Sequence, residues 1–169
     1  MSKVLFAPHN DDEALFAAYT IMRNKPLVVI CFDSYIQNWT NWKERRKESK
    51  KAMDMLGVKV EFLGLNDKTA TKEDLRKAMS QYRAKEVWAS SGSHKHHKWV
   101  GGVARELFPD CMLYSTYENS DLHVQTDFVL APSIKELDLK ELALTCYKSQ
   151  LEKNKVHFDA VLGGCEYYV

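Results

Sequence analysis

The chain is short of the features that tie proteins to nucleic acids, membranes or oxidising compartments. Its 24 Lys and Arg nearly cancel its 23 Asp and Glu, leaving a formal charge of +1. A polyanionic partner draws on a strong positive field, so no nucleic-acid partner is expected. No apolar run approaches the roughly 20 residues of a membrane span. The opening MSKVLFAPH carries neither the long apolar core nor the cleavage site of a secretory leader, so no membrane association is expected. Cysteine is scarce: Cys31, Cys111, Cys146 and Cys165 include no C-x-x-C pair. That argues against a cysteine zinc site and for free thiols in the cytoplasm. Only 4 Pro and 7 Gly are present, with no tract, linker or repeat. A single domain over residues 1–169 is the expectation, long enough to bury a core unaided. The basic segment WKERRKESKK, residues 42–51, reads as the solvated face of a helix.

What is present alternates between two periodicities. Residues 3–7, 26–32, 59–65 and 86–90 are short apolar runs of the kind buried on both sheet faces. Helical spacing fills the gaps, over 12–23, 41–56, 71–84 and 97–108. Gly57 and Pro109 supply stops, and Thr71 with Asp74 nearly forms a capping box. Residues 111–118 and 123–131 read as later strands, and 133–154 as one long amphipathic helix. Such alternation predicts an α/β fold: a Rossmann-like, doubly wound, mostly parallel sheet flanked by helices. The oligomeric state is open.

In such a sheet, sites form beyond the carboxyl ends of the strands. PHNDDE leaves the first strand there, FDS the second, GLND the third and SSGSHKHH the fourth. One rim therefore receives His9, Asp11, Asp12, Asp33, Asp67, His94, His96 and His97. Three adjacent acids, Asp11, Asp12 and Glu13, repel one another unless a cation offsets them. His9 and Asp12 stand three apart across a strand-to-helix turn and can face one point. A histidine from HKHH then completes two nitrogens and one carboxylate oxygen, the open three-ligand set of catalytic zinc. Asp11 is left to act as a base toward water. Each piece has a plainer reading. Asp11 or Asp12 can be a simple N-cap, and H-x-x-H in a lysine-rich loop can be surface. Their joint occurrence at two strand ends favours the metal.

These residues resemble the PIG-L/LmbE-like de-N-acetylases. The hallmark P-H-P-D-D-E stands here as APHNDDEALFAA, with Asn10 for the second proline. H-P-D-H stands as HKHHKWVGGVA, with Lys95 and His96 for Pro and Asp. RRKESKKAMDMLGVKVEFLGLND, KELALTCYKSQL and CEYYV are similar to later family segments, and the likeness runs from about residue 3 to the end. FDS replaces the family's T-D-G. The resemblance implies a metal-dependent hydrolase that removes an acetyl group from a small N-acetylglucosaminyl substrate. His9, Asp12 and His97 would bind the metal, most often zinc, with another divalent ion such as ferrous iron as the alternative. Asp11 would be the general base, and His94 a general acid or a stabiliser of the tetrahedral intermediate. Arg45 and Asp67 match positions that contact substrate. On the residues alone, Arg45 can equally pair with Glu44 or Glu48, and Asp67 can shape a turn. Two other function classes stand beside this one. One is an amidase for another N-acyl compound, a modified nucleoside or thiol conjugate. The other is a metal-binding module without catalysis. Trp39, Trp42 and Trp99 are candidate sugar-stacking residues.

Overall fold

The structure is a computed structural model and describes residues 2–34, 41–116, 128–151, 155 and 165–168. Trp39 and most of the strand expected over 123–131 lie outside the described residues. Five strands follow the apolar runs closely: β1 (Lys3–Ala7), β2 (Leu27–Asp33), β3 (Val60–Asn66), β4 (Glu86–Ser91) and β5 (Met112–Ser115). Two short strands close one edge, β6 (Phe128–Leu130) and β7 (Glu166–Tyr168). The sheet order is β3-β2-β1-β4-β5-β7-β6. The first five strands are parallel, and β7 runs antiparallel to both β5 and β6. The chain builds outward from β1 through β2 to β3, then crosses back to place β4 on the other side of β1. That reversal opens a crevice beyond the carboxyl ends of β1 and β4.

Side-chain alternation on the strands explains why helices cover both faces. Leu5, Val28 and Ile30 point to one core, with residues of α1 (Asp12–Phe16), α2 (Ala18–Asn24), α3 (Trp42–Leu56) and α6 (Ile134–Leu144). Val4, Phe6, Val29 and Cys31 point to the other, with α4 (Lys72–Met79) and α5 (Lys95–Leu107). The end signals act as their chemistry requires. Gly57 ends α3 at φ 73, a left-handed conformation that favours glycine, and Thr71 and Asp74 form the expected capping box on α4. Among the described residues, no helix is long and apolar enough to cross a membrane.

The structure corrects the sequence reading at several helix boundaries. Helix α4 stops at Met79 rather than 84, and α5 begins at Lys95, so His97 sits in its first turn. The helix expected over 133–154 ends at Leu144 and resumes at 148–151, where the Tyr147 carbonyl accepts the first new amide. The helix expected over 12–23 is two helices, because Ala17 leaves helical geometry at φ −136. A distant carboxylate holds the new helix start. Glu166 of β7 accepts the backbone N–H groups of Tyr19 (2.6 Å) and Thr20 (3.0 Å), and the Tyr168 hydroxyl at 2.8 Å. Glu166 is buried, which raises its pKa, with Lys140 opposing the rise. Its removal leaves two buried N–H groups without an acceptor. Glu166→Ala is therefore expected to cost about 3 kcal/mol of stability, read as a lower midpoint in chemical denaturation at unchanged slope.

Candidate active site

The turn after β1 is the centre of the site. Asp12 is fully buried at the start of α1. Its Oδ2 accepts the His9 backbone N–H at 3.0 Å and faces His9 Nδ1 at 3.2 Å and His97 Nε2 at 3.3 Å. Donors of a tetrahedral zinc site at about 2.0–2.2 Å from the ion stand roughly 3.2–3.6 Å apart. Both separations fit that edge length, and one nitrogen or oxygen from each of His9, Asp12 and His97 lies within 4.8 Å of the others. Two imidazoles and one carboxylate suit zinc or ferrous iron, so these residues can hold a divalent ion.

The protonation states agree with that use. Burial alone would raise the Asp12 pKa, but the charge of His97 and the hydrogen bonds and charge of His9 outweigh it and hold the group well below its ordinary value. Burial pushes His97 down to about 4, leaving its ring neutral with a lone pair to give. The tautomer follows from counting protons. The Thr116 hydroxyl donates to the Ser91 carbonyl at 2.9 Å, so toward His97 Nδ1, at 2.7 Å, it can only accept. The ring proton therefore sits on Nδ1 and the Nε2 lone pair faces Asp12. Thr116 reaches this position because Gly92 has no Cβ, which would collide with the hydroxyl.

Asp11 stands next to the cluster in an uncommon backbone conformation, φ 106. A non-glycine residue keeps such a conformation only when its surroundings over-determine it, and here they do. Glu13 Oε2 accepts the Asp11 N–H at 2.9 Å, while the Tyr147 hydroxyl donates to Glu13 Oε1 at 2.6 Å. Arg45 donates to the Asn10 carbonyl and, at 3.2 Å, to Asp11 Oδ2. Asn10 also donates to Ser49 Oγ at 3.1 Å. Burial raises the Asp11 pKa well above its ordinary value, and Arg45 opposes the rise. Burial likewise lifts Glu13 to about 7.

The remaining predicted residues are brought in to different depths. His94 is exposed at the N-cap of α5, its ring 5.6 Å from those of both His9 and His97. Burial lowers its pKa, as does the charge of His9. Asp67 is buried just beyond β3, close enough for its charge to oppose the fall in pKa that burial imposes on His94 and His96. Arg45 is turned to Asp11 and not to Glu44 or Glu48. Glu48 instead accepts Ser149 N–H at 2.8 Å and Ser149 Oγ–H at 2.6 Å. The segment read as a solvated face thus presents Arg45, Glu48 and Ser49 inward. Asp33, placed on the same rim, is held away by a bidentate pair with Arg46 at 2.8 and 2.6 Å. The sequence reading gave no role to Thr116, Tyr147 or Glu13 as supports. The segment KELALTCYKSQL contains Tyr147 and Ser149 without saying what they touch, and nothing local marks Thr116.

Comparison with known proteins gives a family and a fold. A model of the family described as PIG-L, GlcNAc-PI de-N-acetylase, matches residues 4–108. No curated protein matches the chain. Among solved structures, the conserved protein TT1542 from Thermus thermophilus is similar at TM-score 0.78 and 19% identity, covering 100% of this chain and 94% of that one. The zinc-inhibited form of teicoplanin deacetylase Orf2 gives TM-score 0.72 at 15% identity, over 99% of this chain and 97% of that one. GalB, the 4-carboxy-2-hydroxymuconate hydratase from Pseudomonas putida KT2440, gives 0.65 at 15%, over 99% and 95%. These likenesses show the fold.

Groups that orient a metal-binding histidine typically affect affinity by about 10–100-fold when removed. Thr116→Val is expected to weaken zinc binding by about that factor, measured by competition against a chromophoric chelator. Unchanged affinity would show that the His97 tautomer does not depend on this hydroxyl.

Proposed function

Because the chain belongs to the PIG-L (GlcNAc-PI de-N-acetylase) family, we propose that it is a divalent-cation-dependent de-N-acetylase. Its substrate is an N-acetylglucosamine-containing small molecule, and its products are a free amine and acetate. The observation that carries the reading is the convergence of His9 Nδ1, Asp12 Oδ2 and His97 Nε2 beside a constrained Asp11. Family membership supports de-N-acetylation, and the donor set supports zinc.

Amide hydrolysis needs an activated water, a stabilised oxyanion and a proton for the departing nitrogen. When bound, the cation supplies Lewis-acid chemistry, polarising the acyl carbonyl and lowering the pKa of water. His9, Asp12 and His97 hold it from one side. Asp11 takes the proton from the attacking water. Arg45 sets the direction of that carboxylate and opposes, without cancelling, the rise in pKa that burial causes. The amine leaves only when protonated. His94, the exposed imidazole of the cluster, is assigned to that proton transfer, or as a neutral ring to donating its N–H to the oxyanion. Its lowered pKa makes the charged form scarce near neutrality, so Asp11, holding the proton from water, is the second donor. Asp67 acts through charge on His94, and its buried position gives it a positioning role first.

One observation favours a second reading. His96 stands where the family pattern has an aspartate beside the catalytic histidine, which supports a cation-binding module that has lost turnover. Acetate release from a panel of N-acetylglucosamine conjugates and other acylated amines separates the readings. Asp11→Asn is expected to lose about 10²–10⁴-fold in kcat while keeping its zinc, whereas Asp12→Asn loses the ion. Full activity in Asp11→Asn would overturn its role as base. Zinc binding without acetate from any conjugate, alongside turnover of another amide, would move the substrate class. Zinc binding without any turnover would leave the module.

A further inference from the structure

The chain has a second group of converging nitrogens on the opposite side of His9. His9, His94 and His96 each offer a ring nitrogen, all within 4.8 Å of one another. The two clusters use different atoms of the shared ring: Nδ1 faces Asp12 at 3.2 Å, whereas Nε2 lies 2.9 Å from His96 Nδ1. The His96 ring is fixed in that orientation by packing. It is stacked on Phe32 at 4.4 Å between centroids and meets the edge of Trp99 at 5.8 Å. The rings of His94 and His96 are 5.3 Å apart.

We propose that His9, His94 and His96 form a second divalent-cation position, weaker than the first and inhibitory when filled. It exists in this chain because His96 replaces the acid of H-P-D-H with a nitrogen ligand. The inference rests on the reading of His9, Asp12 and His97 as the primary ligand set. Two physical features make the second position weaker. It has three imidazoles and no carboxylate, so within the ligand set only loss of the His9 ring proton offsets the ion's charge. It also shares His9: a neutral imidazole has one lone pair, so filling both positions releases the remaining His9 ring proton to solvent and leaves a bridging imidazolate. A second ion therefore enters only at excess cation. Once there it occupies the lone pair of His94, the group assigned to proton transfer, and inhibition follows directly.

The test uses the purified full chain, stripped of metal and dialysed against limiting and then excess zinc, with ions per chain read by mass spectrometry. The wild type is expected to hold a single tight ion at limiting zinc and to gain another at excess. His96→Gln and His94→Gln, each checked for folding by circular dichroism, are expected to keep the tight ion and fail to gain the other. Asp12→Asn is expected to lose the tight ion. A wild type that never exceeds a single ion, or a second ion retained in both His96→Gln and His94→Gln, overturns the second position. A tight ion retained in Asp12→Asn overturns the primary ligand set instead, so the two failures are told apart.

Discussion

Everything in the site depends on one carboxylate oxygen, Asp12 Oδ2. It ties the turn after β1 to itself through the His9 N–H and points at two imidazoles carried by separate elements. A buried anion of this kind is costly unless it is paired and hydrogen-bonded. The structure meets part of that cost with the His9 N–H, and the same oxygen faces His97 across the gap between the first strand end and the start of α5. The parallel pairing of β1 with β4, running from Lys3 opposite Glu86 to Phe6 opposite Ala89, brings those two ends together. The reversal in strand order thus leaves the crevice, and the carboxylate decides what converges there.

Around that oxygen lies a set of supports whose members come from distant parts of the chain. Thr116 beyond β5 sets the His97 tautomer. Tyr147 reaches Glu13 across 134 positions, and Glu13 in turn holds the Asp11 amide. Arg45 and Ser49 on α3 grip Asn10 and Asp11. These contacts explain why Asp11 can remain at positive φ. They also explain the break between α6 and the helical residues at 148–151: an uninterrupted helix would impose a single regular path where the chain instead turns at Tyr147, whose hydroxyl meets Glu13. The same logic applies at Ala17, where Glu166 accepts the amides of a helix that starts afresh.

The fold by itself does not choose the chemistry. A deacetylase and a hydratase share it at similar identity. What favours amide hydrolysis here is the family match over residues 4–108 together with a triad able to hold a cation and an adjacent constrained acid. The departures from the family pattern fall in the same place as the chemistry. His96 adds a nitrogen where the pattern has an acid, and its ring is turned to His9 rather than to solvent.

Much of this was legible in the sequence, because strand burial and local spacing are short-range properties. The apolar runs gave β1 to β4 almost residue for residue, and the capping signals gave the end of α3 and the start of α4. HNDDE and HKHH marked residues that the fold does bring together, because a strand-to-helix turn brings residues three apart to one side. Two of the boundaries that failed, at Ala17 and Leu144, lie beside hydrogen bonds to residues more than 100 positions away, which no local pattern encodes. The same holds for the direction of Arg45, whose helix offered it Glu44 and Glu48 while the tertiary fold offered Asp11. The sequence by itself determined which groups reach the rim. Only the tertiary structure decided which nitrogen of each histidine faces inward, because a ring's orientation is fixed by its neighbours in space.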